Sequence, residues 1–163
     1  MKTILVSGTP GTGKTTIAKK LARTLDFCYI DVNRFITMHK LHDSYDIKRK
    51  TKIVDTRKLN RFLLSKINRM VGKENGAIID SHLSHYFPKK HADLCIIAKC
   101  GIGKLSRRLI KKGFHKEKID ENIQAEIFDV CLNDARRMRH KIMVVDTTKG
   151  SDIGKIARDL KRK

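Results

Sequence analysis

At 163 residues the chain has the length of one domain with a real hydrophobic core, and 40% hydrophobic with 33% charged residues excludes a disordered polymer. No apolar run approaches the ~20 residues that a membrane-spanning helix needs. Lys and Arg number 37 against 17 Asp and Glu, a net charge of +20, so either the surface is merely Lys-rich and solvated or the chain meets a polyanion, with RNA or a ribonucleoprotein favoured over a membrane.

In chain order, "KTILVSG" leads straight into a buried strand over residues 2–7, with none of the basic, apolar and cleavage-site regions of a secretory signal. A glycine-rich loop follows, then a helix from about Lys14 to Leu25 with Ile17, Ala18, Leu21, Ala22 and Leu25 on one face. "FCYIDV" (27–32) is a second strand ending in an acid. Residues 33–70 read as ragged helix around a polar connection, "HDSYDIKRKTKIVD", before the amphipathic "TRKLNRFLLSKINRM". "GAIID" (76–80) and "DLCIIAKC" (93–100) are further strands. "GKLSRRLIKKG" (103–113) is a basic helix with Gly113 at its C-cap, and 120–138 one long helix. "KIMVVDT" (141–147) is a fifth strand, and "SDIGKIARDLKRK" a closing helix with a basic tail. The cysteines, Cys28, Cys95, Cys100 and Cys131, form no CxxC pair, which fits a reducing cytoplasm and no structural zinc.

Short apolar strands alternating with helices predict an α/β fold, a five-stranded parallel sheet with helices on both faces, built as a single domain over 1–163. Such sheets bind ligands beyond the carboxyl ends of their strands. The residues of chemical interest fall there: Gly8 to Thr15, Asp31, and Asp80 to His82.

"GTPGTGKT" (8–15) fits G-x-x-x-x-G-K-[ST] in full, between a strand and a helix as that phosphate loop requires. Gly8, Gly11 and Gly13 allow positive φ and close backbone approach to phosphates, and the helix N-terminus behind them favours an anion. Lys14 should meet the β- and γ-phosphates, and Thr15 a Mg²⁺ ion carried with ATP. The expected nucleotide-binding set is Gly8, Gly11, Thr12, Gly13, Lys14, Thr15 and Thr16, joined by Arg108 from the basic helix. Asp80 is either a Walker-B acid serving the same Mg²⁺ or a turn former. His82, two positions on, shares its side of the chain if the strand continues, and could orient a water or second phosphate near the γ-phosphate. A structural role for His82, or His85 in its place, stays open. Asp31 either reaches the second substrate or ends its strand. Of Arg107, Arg108, Lys111 and Lys112, helical spacing lets at most two face a transferring phosphate, and a solvated basic face is the alternative. His39 and His42 make at most half a metal site.

These pieces resemble the adenylate kinase isoenzyme 6 group, also called the coilin-interacting nuclear ATPase family. The resemblance rests on "GTPGTGKTT", on "IDSH" running into "YFP" (86–88), on "DLCII", on "LSRRLIKKGF" (105–114) and on "KIDENIQAEIF" (118–128), collinear over nearly the whole chain. It implies an adenylate-kinase-like body with a helical NMP-binding insert near 33–70 and a short lid near 107–120. It implies adenylate kinase and ATPase activities, a part in small-ribosomal-subunit maturation, and a cytoplasmic place, or a nuclear one in a eukaryote. It also implies Asp80 and His82 as the Walker-B acid and its histidine, Arg108 and Lys112 as lid cations, and a catalytic set of Lys14, Asp80, His82 and Arg108. The implied partners are ATP with AMP or ADP, the small-subunit ribosomal protein of the universal S11 family, and rRNA. The family more often has Arg where Lys112 stands, and the insert is basic where nuclear relatives are acidic. An ATPase switch with incidental kinase activity, or a small-molecule P-loop kinase of cytidylate or shikimate type, are the competing expectations.

Overall fold

The computed structural model describes residues 1–42, 44–46 and 51–161. Part of the polar connection in the insert (43 and 47–50) and the last two residues of the basic tail, Arg162 and Lys163, lie outside the described residues. Along the chain run β1 (Lys2–Ser7), α1 (Lys14–Leu25), β2 (Cys28–Asp31), α2 (Val32–Met38), β3 (Ser44–Asp46), β4 (Thr51–Ile53) and α3 (Thr56–Met70). There follow β5 (Gly76–Asp80), β6 (Leu94–Lys99), α4 (Ile102–Lys111), α5 (Lys116–Ile127), α6 (Val130–Arg137), β7 (Ile142–Asp146) and α7 (Ile153–Lys161).

The main sheet has five strands in the order β2-β5-β1-β6-β7, all parallel. Strand β1 lies at its centre, and Ile4, Leu5 and Val6 are fully buried in sequence, as expected for a strand covered on both faces. Ile4 and Val6 point to a layer made by α1 and α7, where Ile17, Leu21, Ile156 and Leu160 pack. Leu5 points the other way, to Phe35, Leu59, Leu63 and Ile67 of α2 and α3 and to Leu132 of α6. Each such side chain withdrawn from water contributes about 1.5–3 kcal/mol before entropy is counted. Register brings Val6, Asp80 and Asp31 level across three neighbouring strands. The loops after β1, β2 and β5 therefore open at one edge. Among the described residues no helix is long and apolar enough to cross a membrane.

Three elements differ from the sequence expectation. The insert contains a small antiparallel hairpin, β3 with β4, between its two helices. The long helix expected over 120–138 is two helices, α5 and α6, because Asp129 is left-handed (φ 53°). Its carboxylate is held by the Lys99 ammonium at the end of β6, a tertiary contact that no helical periodicity reveals. Strand β5 stops at Asp80, so His82 lies in a turn and does not share the strand's alternation. The C-terminus of α4 follows its reading: Gly113 has φ 74°, and the Gly113 and Phe114 amides donate back to Ile110 and Leu109 in a Schellman closure.

Candidate active site

The phosphate loop takes its shape from positive φ at Gly8 (138°), Gly11 (92°) and Gly13 (96°). At Gly8 a Cβ would stand 2.4 Å from the Ala98 carbonyl oxygen of β6, so the loop closes over the sheet only without one. Gly13 precedes α1 and offers no side-chain cap, leaving first-turn N–H groups of that helix for an anion. Inside the loop the Thr9 carbonyl accepts from the Thr12 hydroxyl (2.8 Å) and from Lys14 Nζ (2.9 Å). The enclosed Lys14 ammonium is desolvated, which lowers its pKa to about 8 against the raising effect of the Asp80 carboxylate.

Asp80, 5% exposed, accepts a 2.8 Å hydrogen bond from the Tyr29 hydroxyl. Desolvation and this bond push the Tyr29 phenol well above its ordinary range, against a smaller lowering effect of the Thr15 side chain. Thr15, Tyr29, Asp80 and Lys14 thus form one polar group at the edge of the sheet. Sequence patterning does not single out Tyr29, although a tyrosine in a strand otherwise apolar to its terminal acid is a signal.

His82 is an exposed residue of the turn after β5. Desolvation first, then the Lys14 ammonium, hold its pKa down to about 4, so the ring is neutral at neutral pH and can accept a hydrogen bond. His85 has a different setting. It is buried, shares a 2.7 Å hydrogen bond with Ser7 Oγ, and stands 3.7 Å from Asp134, which also accepts from the Tyr86 hydroxyl. Asp31 caps α2 by accepting from the Arg34 amide at 3.1 Å.

A cleft of about 590 Å³ beside the loop is lined by Gly13, Lys14, Thr15, Thr16, Arg108 and Lys112 among others. Lys111 lines it as well, and Lys112 stands at the C-cap of α4. Arg107 turns back to the Gly103 carbonyl at 3.2 Å. Arg108 is tied in several directions: Nη1 donates to Thr147 Oγ1 (3.1 Å) and Gly11 O (3.3 Å), and Nη2 to Thr147 O (3.2 Å). It thereby fastens α4 to both walls of the cleft.

Two further residues hold the loop. Glu126, 5% exposed, accepts from Thr9 Oγ1 (2.7 Å) and from the Cys100 amide (2.9 Å). Thr147 donates to the Thr12 carbonyl at 2.5 Å. The sequence signal for Glu126 is its pairing with Asn122, both buried polar residues four apart on α5. His39 packs at a tilt against the Phe35 ring, and among the described residues no group of three or more His, Cys, Asp or Glu stands in a metal-binding arrangement.

A family model described as an AAA domain matches residues 4–129. An adenylate kinase isoenzyme 6 homolog of Schizosaccharomyces pombe is 36% identical over 143 residues, 88% of this chain and 79% of that protein. One from Caenorhabditis elegans is 33% identical over 133 residues, 82% of this chain and 71% of the relative. Among solved structures, shikimate kinase from Acinetobacter baumannii in complex with shikimate is similar in fold, with a TM-score of 0.61, 12% identity, and 99% and 92% of the two chains covered.

Proposed function

The chain belongs to the adenylate kinase isoenzyme 6 family within the AAA-domain P-loop proteins, and from that premise we propose that it transfers the γ-phosphoryl group of ATP to AMP, with slower transfer to water. The observation that carries this reading is the cleft beside the phosphate loop, where Lys14, Thr15, Thr16, Arg108 and Lys112 converge, with Asp80 at the end of the strand next to β1. The backbone of Gly8, Gly11, Thr12 and Gly13 cradles the phosphates, and Thr16 lies in the first turn behind them. Lys14 supplies positive charge to the β- and γ-phosphates. The Thr15 hydroxyl and the Asp80 carboxylate are hard oxygen donors that suit Mg²⁺, and the bound ion would neutralise charge across the β- and γ-oxygens. Tyr29 keeps the Asp80 carboxylate aimed. Neutral His82 accepts a hydrogen bond from the attacking group and holds it in line. Arg108, already spanning Gly11 and Thr147, extends positive charge along the phosphate chain, and Lys112 adds a second cation from the lid side over 107–120. The insert over about 33–70 receives the acceptor nucleotide.

The charge of +20 favours a second, compatible reading. Turnover of ATP serves assembly of the small ribosomal subunit, with the ribosomal protein of the universal S11 family and rRNA as partners. The test of the first reading is ADP formation from ATP offered with AMP, CMP or shikimate. AMP should be preferred, and ADP appearing equally fast without any acceptor contradicts the transferase assignment. His82→Ala should lower turnover while ATP affinity stays within about twofold. Unchanged turnover would reduce His82 to a structural role.

A further inference from the structure

The cations of this chain are unevenly placed. Helices α2 and α3 carry Arg34, Arg57, Lys58, Arg61, Lys66 and Arg69, and neither contains an acidic residue. One stripe of α3, Leu59, Leu63 and Ile67, is spent on the core. The residues between those positions line a groove of about 590 Å³ with Phe35 and His39 of α2: Arg61, Phe62, Lys66 and Arg69. The groove shares no lining residue with the phosphate-loop cleft.

Its chemistry is flat rings bordered by positive charge. His39 lies 4.4 Å from Phe35 and 6.2 Å from Phe62, centroid to centroid, so the three rings form a tilted cluster. Phe62, at the edge of that cluster, is 44% exposed, and Met38, which precedes His39, is 67% exposed. Large apolar groups left in water next to a row of cations fit a ligand that supplies both π-faces and negative charge. Single-stranded nucleic acid supplies both, since every base can stack on an aromatic ring while the backbone follows the cations. An acidic protein segment would satisfy the cations and leave the rings unused.

We propose that the groove between α2 and α3 binds single-stranded RNA, with bases stacked on Phe62 and His39 and phosphates met by Arg61, Lys66 and Arg69. This deepens the RNA contact named under the proposed function and rests on that part of it. The recognition is tolerant of sequence, because stacking and phosphate contact carry little base information.

The experiment is fluorescence anisotropy of the full chain with a labelled oligouridylate of about 12 nucleotides, in the range one such groove and its surroundings occupy. Phe62→Ala should weaken binding roughly 5- to 100-fold, the range for loss of one stacked base. The pair Arg61→Ala with Arg69→Ala should reduce the slope of log affinity against log salt by about 1.4, two phosphate contacts on a single strand. Thermal unfolding of each variant is followed in parallel to exclude unfolding as the cause. Crosslinks from 4-thiouridine should map to the peptide spanning 56–70. Absence of binding by the unaltered chain would overturn both the RNA contact and the groove. Binding that Phe62→Ala leaves unchanged, or crosslinks confined to other peptides, would overturn the groove and leave the RNA contact standing. Polyglutamate of matched charge binding as tightly, or AMP displacing the oligonucleotide, would also overturn it, as a mere charge effect or as the acceptor site.

Discussion

The phosphate loop and the insert use their polar groups in opposite ways. In the loop the side-chain donors are spent inside the protein, Thr9 on Glu126, Thr12 and Lys14 on the Thr9 carbonyl, Arg108 on Gly11 and Thr147, and they hold the backbone N–H groups in place for an anion. Along α3 the apolar stripe packs into the core and Asn60 donates to the Tyr86 carbonyl, while Arg61, Phe62, Lys66 and Arg69 line an outward groove. Fixed backbone is what a triphosphate site needs, because dipoles oriented before the reaction cost nothing to reorganise during it. A long, flexible polyanion needs instead a surface with reach.

Substitutions can break that contrast, and the largest effect belongs to the loop. Lys14→Ala should lower the phosphotransfer kcat by about 10²–10³, measured at saturating nucleotide, since it removes positive charge from the transferring phosphate. A loss smaller than tenfold would mean that the loop's N–H groups suffice. Next come two neighbours on α3. Leu63→Ala, at a core position 2% exposed, should cost about 2–5 kcal/mol of unfolding free energy in urea, and Phe62→Ala less than about 1 kcal/mol. Equal costs would show that the outward face is part of the core after all. Glu126→Ala should cost about 2–3 kcal/mol, because Thr9 Oγ1 and the Cys100 amide lose their shared acceptor, and Glu126→Gln should cost less. A urea midpoint untouched by Glu126→Ala would show that the loop holds its shape unaided.

The smallest effect is a pH dependence. Desolvation disfavours the Lys14 ammonium and lowers its pKa to about 8. Phosphate favours the ammonium, so above that pH ATP binding must take up a proton. Affinity should therefore fall as pH rises through 8, by at most tenfold per unit, with proton uptake seen in calorimetry in buffers of different ionisation enthalpy. Affinity flat between pH 7.5 and about 9.5 would contradict a titrating Lys14.

The sheet was legible in the sequence because its five strands are short apolar runs bounded by turn residues, and the glycines of "GTPGTGKT" announced their backbone conformation. What escaped is set by partners distant along the chain. Tyr29 meets Asp80 across 51 positions, Glu126 meets Thr9 across 117, and Thr147 meets Thr12 across 135. The break between α5 and α6 depends in the same way on Lys99 reaching Asp129, while α5 and α6 each keep helical periodicity. Arg108 was visible as a cation of the basic helix, but its hold on Gly11 and Thr147 follows only once α4 is docked on the loop.

The most direct measurement of phosphoryl transfer uses ATP labelled at the γ-phosphate with unlabelled AMP, followed by separation of the products. Transfer to AMP predicts label in ADP from the earliest times, with two ADP formed for each ATP consumed. Label found only in inorganic phosphate, with AMP unconsumed, would contradict it.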